Sequence, residues 1–134
     1  SNYTPVAYKL TSEQKAFVEK VVEGEYGGDS DGCLLIAQCI RDALVDGRCT
    51  DPMKIRKSVS EGGLGYDGYK DNASQMAKDA VTKIFDQGMY AVKYKIRYMC
   101  TESYFKGNPD DFRHNLPLVL KYNGITGTVY FFGD

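Results

Sequence analysis

The chain has 134 residues, a formal net charge of −1, 43% hydrophobic and 26% charged residues, the profile of one ordinary globular domain over 1–134 rather than a fibrous or wholly disordered chain. Seventeen basic residues stand against eighteen acidic ones with no like-charge run to track a phosphate backbone, so nucleic acid is not an expected partner. No apolar stretch approaches the ~20 residues that span a bilayer, and no basic segment followed by an apolar one opens the sequence, so this chain is expected to be soluble and unanchored.

Residues 1–10 lack a helical period and contain Pro5, which predicts an extended lead-in. Thr11-Ser12 offers a cap, and Phe17, Val18, Val21, Val22 and Tyr26 then recur at helical spacing while Glu13, Lys15, Glu19, Lys20 and Glu23 cover the other side. Gly27-Gly28 stops this amphipathic helix, and Asp29 to Asp31 can cap the next. Leu34 to Val45 is apolar on nearly every side except at Gln38, Arg41 and Asp42, which places that helix in the middle of the domain. Gly47 ends it, and Asp51-Pro52 starts a short third helix in which Met53, Ile55 and Val59 are expected to face inward.

Residues 61–71, with four glycines and two tyrosines, read as a mobile aromatic loop. Helical spacing resumes from Asn72 to about Gln87 through Met76, Ala80, Val81 and Ile84, and Gly88 closes it. The period then changes. Tyr90–Tyr98, Leu116–Tyr122 and Thr126–Phe132 are short, aromatic and β-branched, and Asn123-Gly124 between the last two is a hairpin-turn signal. Helices first and strands later predict an α+β domain, a helical body with a short antiparallel sheet near the C-terminus.

The inward stripe of the first helix extends to Glu25, three residues after Val22, four after Val21 and seven after Val18. A carboxyl facing apolar packing at a helix C-terminus is pushed toward its neutral form by desolvation and by the negative end of the helix dipole. An acid that keeps its proton near neutrality is what a glycosidase needs to protonate a departing glycosidic oxygen. A terminal glutamate that swings into solvent would do nothing of the kind. Gly27, Gly28 and Gly32 leave room beside Glu25 for a polymer, or merely make a tight helix–helix turn. Eleven tyrosines and no tryptophan make Tyr66, Tyr69, Tyr104 and Tyr130, in loops or strand ends, candidates for stacking on sugar rings, with core packing as the alternative for each.

The cysteines at 33, 39, 49 and 100 form no CxxC pair, and His114 is the one histidine, so a zinc site is not expected and no cofactor is implied. Cys33 and Cys39 read as small core residues, whereas Cys49 and Cys100, near element ends, are open to exposure or bridging. A thiol nucleophile with His114 as base is a second chemical candidate, set back by the apolar setting of the first two thiols and the polar, Pro-flanked loop around His114.

The run Val21-Val22-Glu23-Gly24-Glu25-Tyr26-Gly27-Gly28-Asp29-Ser30-Asp31-Gly32-Cys33, leading into Ala37-Gln38-Cys39-Ile40-Arg41-Asp42, resembles the SleB-type cell-wall hydrolases, which include spore-cortex-lytic enzymes. Glu25 takes the place of that family's catalytic glutamate, Gly28-Asp29 that of its Gly-Glu, and Gly32 that of its later glycine. Ser103-Tyr104-Phe105-Lys106-Gly107-Asn108-Pro109 is similar to its aromatic pair before Asn-Pro, and Gly127 to Phe132 to its closing strand. The resemblance covers about 12–133. The family's Gln-Phe pair and its last-strand histidine are missing, the corresponding stretches reading Gly-Gly-Leu-Gly-Tyr-Asp-Gly-Tyr and Thr-Val-Tyr. The resemblance implies a small lysozyme-like domain that cleaves peptidoglycan glycan strands between MurNAc and GlcNAc as a lytic transglycosylase, outside the cytoplasm, in the cell wall or spore envelope. One glutamate would serve as acid and then base. Asp67, Asp71 and Glu102 are the carboxylates on which a two-carboxylate hydrolase would draw, and the departures leave a catalytically inactive wall-binding module as the alternative.

Overall fold

The computed structural model describes residues 3–134. Helix α1 spans Ser12–Tyr26 and begins in a capping box: the Thr11 hydroxyl accepts from the Gln14 amide, and the Gln14 side chain accepts from the Thr11 amide at 2.9 Å. Helix α2, Ser30–Val45, is capped by Asp29, whose Oδ1 accepts from the Gly32 amide at 2.7 Å. A 3-10 turn covers Pro52–Lys54, and Ile55 beyond it is buried as expected. Val59 is instead 70% exposed, because a second 3-10 turn over Val59–Glu61 carries it outward. Helix α3 is shorter than its apolar spacing predicts, Gln75–Val81, and widens into a π-helical turn over Thr82–Asp86. Met76 lies on its outer side.

Three antiparallel strands follow, in the order β1, β3, β2: Tyr98–Thr101, Gly127–Phe132 and Leu118–Gly124. A short helix α4, Glu102–Gly107, joins β1 to the remainder. The architecture is therefore α+β, with the sheet at the C-terminal end.

Residues 90–97 do not form the predicted strand, and α2 supplies the reason. Gln38 and Arg41 are fully buried and Asp42 nearly so. Gln38 Oε1 accepts from the amides of Ala91 and Val92 at 2.7 and 3.0 Å, while its Nε2 donates to the carbonyls of Val92 and Tyr94 at 2.8 and 3.0 Å. Asp42 accepts from the Ile96 amide at 3.1 Å. Backbone groups that would have joined a ladder are satisfied by one helix's side chains instead. Arg41 completes the network through the carbonyls of Ile84 and Met89 and the Tyr3 hydroxyl, which in turn donates to Asp42 at 2.9 Å and so ties down the extended lead-in.

The hairpin between β2 and β3 also differs from its sequence signal. Gly124 pairs with Gly127, so Ile125-Thr126 forms the two-residue turn, directly after Asn123-Gly124 rather than at it. A Cβ on Gly124 would overlap the Tyr26 hydroxyl. The glycine is required for close approach, and the Tyr26 ring resting on it edge-on to Tyr122 joins α1 to the hairpin.

Both faces of β3 are covered. Val129 and Phe131 enter the main core with Val18, Ile36, Ile40 and Phe85, while Tyr130 and Phe132 alternate into a smaller cluster with Cys100, Phe105 and Leu116. Each fully buried aliphatic or aromatic side chain of the main core contributes about 1.5–3 kcal/mol.

Candidate active site

A cleft of about 440 Å³ opens between the end of α1, the loop that follows the two 3-10 turns, and the β1–α4 region. Glu25 lines it, together with Leu64, Tyr66 and Asp67 from the loop. Tyr98, Cys100, Tyr104, Phe112 and Arg113 line it from the sheet side.

The loop over 61–71 is strapped to α1 rather than free, contrary to the mobility expected of a glycine-rich segment. The Lys70 amide donates to the Lys20 carbonyl at 3.1 Å, the Tyr66 amide to the Ile55 carbonyl at 3.2 Å, and Arg56 to the Asp67 carbonyl at 3.0 Å. Two glycines permit the closest contact. A Cβ on Gly24 would run into the backbone of Gly68 and Tyr69, and a Cβ on Gly68 into that of Gly24 and Glu25. With neither side chain present the two backbones touch, and the Gly68 amide donates a short hydrogen bond to Glu25 Oε2. Gly27, Gly28 and Gly32, expected to make room for a polymer, do not border the cleft. Gly32 sits under the Tyr26 ring and Gly28 beside Tyr26 and Thr126, so these glycines belong to the turn between α1 and α2.

Burial pushes the Glu25 carboxyl above its ordinary pKa, and the charge of Asp67 adds to the rise; the Gly68 hydrogen bond and the Arg56 charge oppose it without cancelling it. Asp67 borders the cleft, whereas Asp71 and Glu102 do not. Asp29, set beside Glu25's helix by the Gly-Gly turn, faces the other way chemically. Desolvation pulls it up, but hydrogen bonds from Tyr122, Gly32, Ile125 and Tyr26 hold it below the usual carboxylate range, and it serves as a cap and hairpin anchor.

The four tyrosines singled out from the sequence part company. Tyr104 is 48% exposed and lines the cleft. Tyr66 lines it too, but as a buried wall residue with no ring face free to stack. Tyr69 packs on Phe17 under the Arg56 guanidinium and stands outside the lining. Tyr130 is also outside it, because the alternation of β3 turns its ring into the Phe105–Phe132 cluster while its hydroxyl donates to Glu102 at 2.6 Å. Tyr98, Phe112 and Arg113 are lining residues that sequence reasoning passed over.

The thiols do not present a nucleophile. All four are free and buried, Cys49 and Cys100 included, which corrects the expectation of exposure or bridging for those two. Burial pushes Cys33 up to about 11 and Cys39 to about 12, and raises Cys100, the one thiol at the cleft. His114 stacks on Phe105 at 3.7 Å, bonded through Nε2 to backbone carbonyl oxygens, and does not border the cleft. Among the described residues, no group of three or more His, Cys, Asp or Glu is gathered to hold a metal ion, and no helix is long and apolar enough to cross a membrane.

The fold is a small α+β domain whose cleft is lined by one half-buried acid, Glu25, with Asp67 nearby. Among solved structures, the chain is similar to the catalytic domain of the germination-specific lytic transglycosylase SleB from Bacillus anthracis, with a TM-score of 0.66 over 96% of this chain and 100% of that one, at 14% sequence identity. The likeness is one of fold. No family model matches the chain, and no curated protein matches it.

Proposed function

We propose that this domain cleaves the glycan strands of peptidoglycan between MurNAc and GlcNAc, with Glu25 as the catalytic acid and then base. One observation carries the reading: a carboxyl kept toward its protonated form by burial lines a cleft large enough for sugar rings, in a fold shared with a lytic transglycosylase catalytic domain. Glu25 protonates the glycosidic oxygen as the bond breaks, then, as carboxylate, takes the proton from the muramic acid 6-hydroxyl that attacks the anomeric carbon. The product ends in a 1,6-anhydro ring. Tyr104 is the binding residue of the original four that has both an open ring face and a place in the cleft. The site of action that follows is extracytoplasmic, in a cell wall or spore envelope.

Purified peptidoglycan incubated with wild type and with Glu25→Gln tests this, with mass spectrometry of the released muropeptides. Wild type is expected to release anhydro-ended products, and the variant to lose about 10²-fold or more of the rate, the usual share of a general acid. Equal release by both proteins overturns the proposal. Hydrolysed rather than anhydro ends would bring in Asp67, the one further carboxylate of the three that borders the cleft, as partner in a two-carboxylate reaction. Binding without release by the wild type would make the domain a wall-binding module.

A further inference from the structure

The sheet side of the cleft carries aromatic surface that the fold leaves uncovered. Phe112 is 53% exposed and Tyr104 48%, although each lies within reach of a packed core. Both rings are held by one guanidinium: Arg113 lies 5.1 Å from the Phe112 centroid and 5.4 Å from that of Tyr104. Phe112 is further fixed edge-on against Tyr98 at 5.4 Å and 76°. Arg113 cannot swing away. Its Nε and Nη2 donate to the two carboxylate oxygens of Asp111 at 2.7 and 2.8 Å, and its Nη1 donates to the Met99 carbonyl at 2.9 Å.

Charge then says what kind of ring fits. The Arg113 hydrogen bonds hold the Asp111 carboxyl down to about 2, so this pair is fully ionised and mutually neutralised. Arg97, the other arginine of the lining, is matched by Asp46 at 3.3 Å and Asp134 at 2.6 Å. Asp67 adds a negative charge. With both lining arginines matched by carboxylates and Asp67 adding a negative charge, the lining favours a neutral ring over an anionic one, and its apolar rings suit the axial-hydrogen face of a pyranose.

We propose that Tyr104 and Phe112, gathered by Arg113, form a stacking subsite for a neutral N-acetylated hexosamine ring in the cleft that holds Glu25. This rests on the glycan-cleaving reading and adds to it the binding wall and its preference: the unsubstituted GlcNAc unit is seated here, and the peptide-bearing muramic acid lies elsewhere along the strand.

The test is calorimetric titration of the Glu25→Gln protein with the β-1,4-linked tetramer of N-acetylglucosamine, beside a peptidoglycan-release assay of the wild type. Adding Phe112→Ala or Tyr104→Ala is expected to weaken tetramer binding roughly two- to tenfold, the range of a single aromatic contact. Phe112→Tyr should retain binding, and Tyr94→Ala, exposed outside the cleft, should not alter it. Raising the salt concentration should leave the affinity nearly unchanged. Tetramer binding that is indifferent to Phe112→Ala and Tyr104→Ala, or that weakens steeply with salt, overturns the subsite and leaves the Glu25 reading standing. No tetramer binding alongside active release from peptidoglycan also overturns it. Absence of both binding and release overturns the subsite together with the reading on which it rests.

Discussion

Glu25 is where the sequence spoke most clearly, since three valines at helical spacing fix the side of α1 on which it lies. Its raised pKa has a stability consequence. Because the folded value lies above the unfolded one, the stability tied to the protonated carboxyl is fully present below the unfolded pKa and is lost as pH rises through the folded one. Glu25→Gln, which carries no charge to desolvate, is therefore expected to melt above wild type near neutral pH, with the gap closing on acidification; melting curves of both proteins from acid to neutral pH check this. Asp29 has the opposite sign. Its stabilising bonds are present above the unfolded pKa and lost as pH falls through the lowered folded value, and Asp29→Ala is expected to cost about 1–2 kcal/mol as a lost helix cap, measured by urea denaturation. The aromatic lining was harder to read. Phe112 stands in a polar stretch with no periodicity, and its significance comes entirely from Arg113 and Tyr98 beside it.

At the scale of elements, local signals located α1, α2 and their caps and the last two strands, because each rests on contacts a few residues apart. They failed over 90–97 and at the hairpin turn, where a distant side chain decides the backbone. Gln38 lies 53 residues from Ala91, yet captures its amide, and Tyr26 lies 100 residues from Thr126, whose amide donates to its hydroxyl. A buried Gln among apolar neighbours was the available clue, since such a group must find partners. Gln38→Leu would remove four hydrogen bonds to the backbone of Ala91, Val92 and Tyr94, a part-exposed segment whose groups water can partly satisfy again, at a net cost of about 0.5–1.5 kcal/mol for each bond. A loss of about 3 kcal/mol is expected, with hydrogen exchange at Ala91 and Val92 accelerating ahead of that in α1.

For the whole molecule, the order of elements was enough to predict an α+β domain, but not the meeting of its helical and sheet parts around the cleft. That meeting brings Glu25 together with Tyr104, Phe112 and Arg113, roughly eighty residues further along the chain, and loop closure over such distances leaves no periodic trace. The four buried thiols are another product of tertiary packing. Intact protein is expected to resist alkylation by iodoacetamide until denaturant is added, then to take up four labels without prior reduction, as read by mass.

The backbone contact between Gly24 and Gly68 also makes the acid adjustable. An added methyl group at 68 would wedge the strap off the helix and remove the amide that steadies the carboxylate. The lifted loop would also admit water beside Glu25 and carry Asp67 away, and because burial is the larger influence on this carboxyl, Glu25 would release its proton in less alkaline solution. In Gly68→Ala, the alkaline limb of the proposed glycan cleavage is accordingly expected to move downward, so a domain of this shape has its working range of acidity set by how tightly a loop lies against a helix.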